Sequence, residues 1–126
     1  MTVRLLPTDR VLEVGCGPGF FNPAVARRLS AGHLTLLDAQ APMLAMAAER
    51  LEKRGLANFA GVCAGAESLP FADAAFDAVF MIAVLGEVPD RASAVREAAR
   101  VLRPRWMFFI DRGGRRSGPR ERQGIG

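Results

Sequence analysis

Apolar residues come in short runs broken by polar punctuation, and their spacing alternates between two periods. Val11-Leu12-Glu13-Val14 is short and nearly continuous, as a strand buried on both faces requires. Phe20 to Leu29 follows at helical spacing, with Pro23 in the first turn, where a missing N–H costs little, and Gly32 as its close. Leu34-Thr35-Leu36-Leu37 is a second strand that ends on Asp38. The next helix opens at Pro42 and puts Met43, Leu44, Ala47 and Leu51 on one face, with Glu49, Glu52, Lys53 and Arg54 on the wet side and Gly55 as its stop. Phe59 to Cys63 reads as a third strand weakened by Gly61, Gly65 to Ala75 as a loop, and Phe76 to Ile82 as the strongest strand. Arg91 to Leu102 is a helix capped by Asp90, and Trp106 to Ile110 is a fifth strand.

Strands that alternate with helices imply parallel βαβ units joined by right-handed crossovers. The expected fold is therefore α/β, a Rossmann-like doubly wound parallel sheet of about five strands. Residues 1–110 form the expected domain, and 111–126, rich in arginine and glycine, read as a disordered tail. In such sheets a ligand sits outside the carboxyl ends of the strands, near the point where the strand order reverses.

The junction of the first strand and helix carries the candidate chemistry. Glu13-Val14-Gly15-Cys16-Gly17-Pro18-Gly19 is a glycine-rich turn of nucleotide-binding type, expected to offer unpaired N–H groups to a ligand. The dinucleotide fingerprint needs G-x-G-x-x-G, but Phe20 stands at its last position and the third glycine comes early, at Gly19. No Gly-Lys-Ser/Thr follows, which excludes a P-loop. Asp38 lies nineteen residues beyond Gly19, where a carboxylate can accept hydrogen bonds from both hydroxyls of a ribose. An aspartate there also caps a following helix, and Pro42 is near enough for that.

The E-x-G-x-G-x-G pattern resembles motif I of the class I S-adenosylmethionine (SAM)-dependent methyltransferases. Ala66-Glu67-Ser68-Leu69-Pro70-Phe71-Ala72-Asp73-Ala74-Ala75-Phe76-Asp77 is similar to the A-E-x-L-P-F-x-D-x-x-F-D stretch of the UbiE-like (methyltransferase type 11) group. Val84 to Asp90, Arg96-Glu97 and Arg100 to Pro104 resemble that group's next helix and its exit. The resemblance implies that Gly15, Cys16, Gly17 and Gly19 line the methionine and ribose, with Glu13 ordering polar contacts near the methionyl end. It further implies Asp38 on the ribose, Ala39 and Met43 beside the adenine, Gly65, Ala66 and Glu67 at the adenine edge, and the carbonyl at Met81 facing the methionyl amine. The implied activity is in-line methyl transfer from SAM to a small-molecule acceptor, which rests mostly on proximity and orientation. No catalytic base is assigned; Glu87 is the nearest candidate and also reads as a helix-start acid.

This sequence departs from the group in three places. The group's adenine-binding Asp after the third strand is Gly65 here, and its glycine pair after Pro104 is Arg105-Trp106. The group's N-terminal helical segment and final strands have no counterpart, so the resemblance implies a truncated copy. Its fifth strand would then be an open edge available for self-association. The alternative reading is a non-catalytic SAM-binding module that needs a partner chain.

Charge and cysteine content narrow the rest. Of the net charge of +4, the segment from Arg103 to Arg122 carries +5, so the remainder is nearly neutral and nucleic acid is not an expected partner. Arg112-Gly113-Gly114-Arg115-Arg116 looks RGG-like and keeps an RNA-binding tail as a rival. Cys16 and Cys63 form no CxxC pair and no disulfide framework, and no apolar run spans a bilayer; the expected compartment is the cytoplasm, with no membrane partner and no metal. His33, the only histidine, reads as surface.

Overall fold

A computed structural model describes residues 5–17, 19, 21–82, 90–110 and 120–121. The elements run β1 (Arg10–Val14), α1 (Asn22–Arg28), β2 (His33–Asp38), α2 (Ala41–Lys53), β3 (Phe59–Cys63), β4 (Phe76–Ile82), α3 (Arg91–Val101), β5 (Leu102–Ile110) and β6 (Arg120–Glu121). They build one sheet in the order β3-β2-β1-β4-β5-β6, with β1 to β5 parallel and β6 antiparallel to β5. The order reverses between β1 and β4, the switch point of a doubly wound sheet.

Alternation along each strand divides the core between two faces. Leu12, Val14, Leu37, Val79 and Met81 pack with Ala94, Ala98 and Val101 of α3. Val11, Leu34, Leu36, Ala78 and Phe80 pack with Ala26, Leu29, Ala47 and Leu51 from the α1 and α2 side. Each large aliphatic side chain buried in this way contributes about 1.5–3 kcal/mol, which is why the sheet's register is set by its apolar residues.

Several boundaries differ from the sequence reading. Helix α1 starts at Asn22, with Pro23 in its first turn, and Gly32 does not cap it. A Cβ at residue 32 would stand 2.1 Å from the Asp9 carbonyl oxygen, so that glycine serves a close backbone approach. Strand β5 begins at Leu102, directly after α3, because Phe76 pairs with Leu102 before the register shifts to Ala78 and Trp106. The edge of β5 is not wholly open: Trp106 pairs with Glu121 and Met107 with Arg120, and both of those partners fall in the stretch read as a disordered tail. Residues 111–119 and 122–126 of that tail, including the RGG-like run, lie outside the described residues.

The connection from β3 to β4 is a loop, as expected, and it is held by side chains. Arg100 donates to the carbonyls of Leu69 at 2.9 Å and Phe71 at 2.8 Å and to Asp73 at 2.8 Å. Glu97 accepts the Leu69 N–H at 2.7 Å and pairs with Arg100 at 2.9 Å. The Arg100 guanidinium, and then the Leu69 N–H, hold the Glu97 carboxyl well below the usual carboxylate range. Asp77, which is buried, accepts the Arg10 N–H at 2.9 Å and pairs with Arg103 at 3.1 Å, which locks the start of β4 to β1. Arg100→Met is expected to lower Tm and speed amide exchange at Leu69 and Phe71 while leaving α1 and α2 protected. Unchanged exchange in that loop would contradict this role.

Candidate functional site

The parallel register sets the strand ends level. Val14 lies opposite Leu37 on one side and Met81 on the other, and Asp38 lies opposite Cys63. Gly15, Cys16, Gly17, Gly19, Asp38–Ala39, Gly65–Glu67 and Met81 therefore share the carboxyl rim, next to the switch point. Met43, half-buried, sits in the first turn of α2, which rises from that rim.

The glycine bend is tied inward. The N–H groups of Gly15 and Cys16 both donate to the Leu37 carbonyl, at 2.7 and 3.1 Å, and the Gly17 N–H donates to Asp38 Oδ2 at 3.1 Å. This corrects the expectation that the turn offers free amides, at least for residues 15–17. A pyrophosphate is held by such amides pointing outward, so this arrangement disfavours a dinucleotide there. What the bend does offer is room. Gly17 has φ +57°, and a Cβ added to it would meet nothing within 4 Å. Gly19 is packed instead: its Cβ would stand 2.9 Å from both the Ala47 Cα and Asn22 Oδ1. The third glycine comes early because α2 and Asn22 press against the bend at that residue.

Asp38 is half-exposed at the end of β2. Its Oδ1 accepts the Gln40 N–H at 2.9 Å, but the N-cap of α2 is Gln40, whose side chain makes no capping bond. The carboxylate thus links the bend to the start of the next helix. A carboxylate has about four acceptor sites, so two main-chain bonds leave capacity for hydroxyl donors.

Beneath the bend lies a polar pair of which the sequence reading found one half. Glu13 is 1% exposed and accepts a hydrogen bond from Asn22 Nδ2 at its Oε1. Glu13 Oε2 and Asn22 Oδ1 have no partner among the described residues. Burial pushes the Glu13 carboxyl up to about 8, against the opposing effect of the Asn22 bond. Asn22 was missed because an asparagine before a proline reads as helix-start chemistry; its distance from Glu13 along the chain hides the contact.

Other candidates resolve into backbone and side-chain roles. Burial, followed by the nearby Glu13 and Asp38 carboxylates, raises the Cys16 thiol to about 12, so it stays a thiol at neutral pH. The side chains of Ala66 and Met81 lie in the core packed against α3, which leaves only their backbone for a ligand. Gly65 is exposed, and a Cβ there would stand 3.2 Å from Glu67 Oε1, so the Glu67 carboxylate folds back toward Gly65. Ala39 is exposed, and its carbonyl accepts from Cys63 Sγ at 3.5 Å. His33 is exposed at the amino end of β2, away from the rim. Glu87 lies outside the described residues. Among the described residues no acid, cysteine and histidine group could hold a metal ion, and no helix is long and apolar enough to cross a membrane.

Comparison with known proteins bears directly on this geometry. The profile of a family described as "Methyltransferase domain" matches residues 12–110, which takes in the glycine bend, Asp38 and the clamped loop. The chain belongs to that family. A ubiquinone/menaquinone biosynthesis C-methyltransferase UbiE from Xanthomonas campestris is 39% identical over 104 residues, covering 81% of this chain and 41% of that protein. A SAM-dependent methyltransferase from Aquifex aeolicus superposes with a TM-score of 0.75 at 26% identity, over 94% of this chain and 64% of that one. The [4+2]-cyclase SpnF superposes with a TM-score of 0.78 at 35% identity, over 85% of this chain and 40% of that one. The methyltransferase-family chain thus belongs to the class I, UbiE-like group and has its Rossmann-like fold, and it spans about two fifths of the length of the curated relative.

The buried acid gives the site a pH signature. The folded chain keeps Glu13 neutral up to about 8, whereas the unfolded chain ionises it near 4.5. Stability is therefore whole below the lower value and falls as pH rises toward the upper one, because the unfolded state binds fewer protons there. Glu13→Gln is expected to remove this slope, at most about 1.4 kcal/mol per pH unit, in urea unfolding compared at about pH 5 and about pH 8. Equal slopes in the two proteins would contradict the assignment.

Proposed function

We propose that the rim binds SAM and that the domain serves in-line methyl transfer to a small-molecule acceptor. The observation that carries this reading is the open space at Gly17 beside the Asp38 carboxylate, at the sheet's switch point. Asp38 accepts the two ribose hydroxyls, the Cα surface of Gly15 and Gly17 lies along the ligand, and Cys16 and Gly19 hold the bend's shape. Glu13, anchored through Asn22, keeps an acid beneath the methionyl end. The Met81 carbonyl meets the methionyl amine, and Ala39 and Met43 flank the adenine.

The fit extends to the position where glycine replaces the group's adenine-binding acid. Glu67 Oε1 lies 3.2 Å from where a Cβ on Gly65 would be, so its carboxylate reaches toward the space that the group's aspartate side chain would fill. Together with the backbone of Gly65 and Ala66, it supplies the acceptor for the adenine amino group. Bound SAM would supply an electrophilic methyl on a sulfonium. The chain's own part is to orient it and exclude water. The name of the Xanthomonas relative, a C-methyltransferase of ubiquinone and menaquinone biosynthesis, supports a small-molecule acceptor.

SpnF, a [4+2]-cyclase, has a similar fold, so the fold alone does not require methyl transfer, and SAM binding without turnover by this chain is the second reading.

Calorimetric titration with SAM tests the binding claim. A hydrogen bond to a charged group contributes roughly 1.5–3 kcal/mol, so Asp38→Ala is expected to weaken SAM by at least about tenfold. Glu67→Gln is expected to weaken it several-fold, with a smaller effect on a ligand lacking the adenine amino group. Unchanged affinity in Asp38→Ala would remove the ribose role. Radiolabelled methyl transfer to pooled small molecules separates turnover from binding alone.

A further inference from the structure

A groove of about 660 Å³ opens at the opposite end of the sheet from the rim, where the strands begin. Arg10 and His33 stand side by side there as register partners at the starts of β1 and β2. Thr35 lies one pleat further in, and Phe71, Ala75 and Phe76 form the apolar wall. The wall is rigidly made. Phe71 and Phe76 meet edge to face at 5.0 Å, and the Phe71 carbonyl is held by Arg100 at 2.8 Å.

Size and chemistry together describe an occupant. The volume falls within the range of small-molecule sites, which are mostly apolar with a few convergent polar groups. Among the described residues the Arg10 guanidinium makes no ion pair, since Asp77 takes the Arg10 backbone N–H and pairs with Arg103 instead. Among those residues, too, no carboxylate lines the groove. A guanidinium, an imidazole and a hydroxyl beside two aromatic rings complement a flat ring bearing a carboxylate, with the fork of the arginine matching the carboxylate's two oxygens.

We infer that this groove is a second ligand site, for a small aromatic carboxylate, separate from the carboxyl rim. It does not depend on the rim binding SAM. Arg10 anchors the carboxylate, His33 and Thr35 add donors, and Phe71 and Phe76 take the ring.

The test uses the full chain and biphenyl-4-carboxylate, with 4-biphenylmethanol as the uncharged analogue, both titrated by calorimetry. The carboxylate is expected to bind the intact chain at least about tenfold more tightly than the alcohol, and Arg10→Ala is expected to remove that difference. Asp38→Ala, which alters the rim, is expected to leave carboxylate binding unchanged. The Arg10 side chain is exposed, so its removal leaves the core intact, and circular dichroism checks this. Three outcomes would each overturn the assignment: no carboxylate binding to the intact chain, equal affinity for acid and alcohol, or binding lost in Asp38→Ala but kept in Arg10→Ala.

Discussion

One carbonyl and one carboxylate at the end of β2 hold the glycine bend in place. The Leu37 carbonyl takes two consecutive N–H groups and Asp38 takes the next, at distances of 2.7 to 3.1 Å. Because these bonds consume the inward amides, the bend turns its Cα surface outward, and glycine is needed there for conformation and for room. The same Asp38 also reaches the start of α2. The geometry of the bend is thus a by-product of how two neighbouring strands finish.

The rim is supported from two directions. Below it, the Glu13–Asn22 pair is sealed from water and leaves one oxygen on each side chain without a partner among the described residues, an expensive arrangement in a core. Beside the rim, the loop from β3 to β4 has no helix of its own, yet Arg100 and Glu97 fix it to α3 through main-chain bonds. The two ends of that loop contribute to different places: Gly65–Glu67 to the rim, and Phe71 with Ala75 to the groove at the other end.

Much of this was legible in the sequence because it rests on local pattern. The strands β3 and β4 fall where their apolar runs place them, Asp90 caps α3 through the Ser93 N–H at 3.0 Å, and the parallel order follows from the alternation of elements. What escaped was long-range. Asn22 beneath Glu13, Arg100 on the Leu69–Asp73 loop and Asp77 between Arg10 and Arg103 all join residues whose contact depends on the assembled sheet. The inward direction of the bend's amides was unreadable for the same reason: the motif fixes where glycine stands, while the neighbouring strand decides what the amides meet. The early start of β5 and its pairing with β6 likewise arise from register, which no single segment encodes.

The central claim is that a ligand carrying a ribose crosses the bend and is held by the end of β2. A crystal structure of the chain grown with SAM tests this most directly. The account predicts ribose hydroxyls within hydrogen-bond distance of the Asp38 carboxylate, and the ligand passing over Gly17 with no phosphate-like contact to the amides of residues 15–17. A ligand seated elsewhere, or a Gly17 surface covered by the chain's own side chains in the presence of saturating SAM, would contradict it.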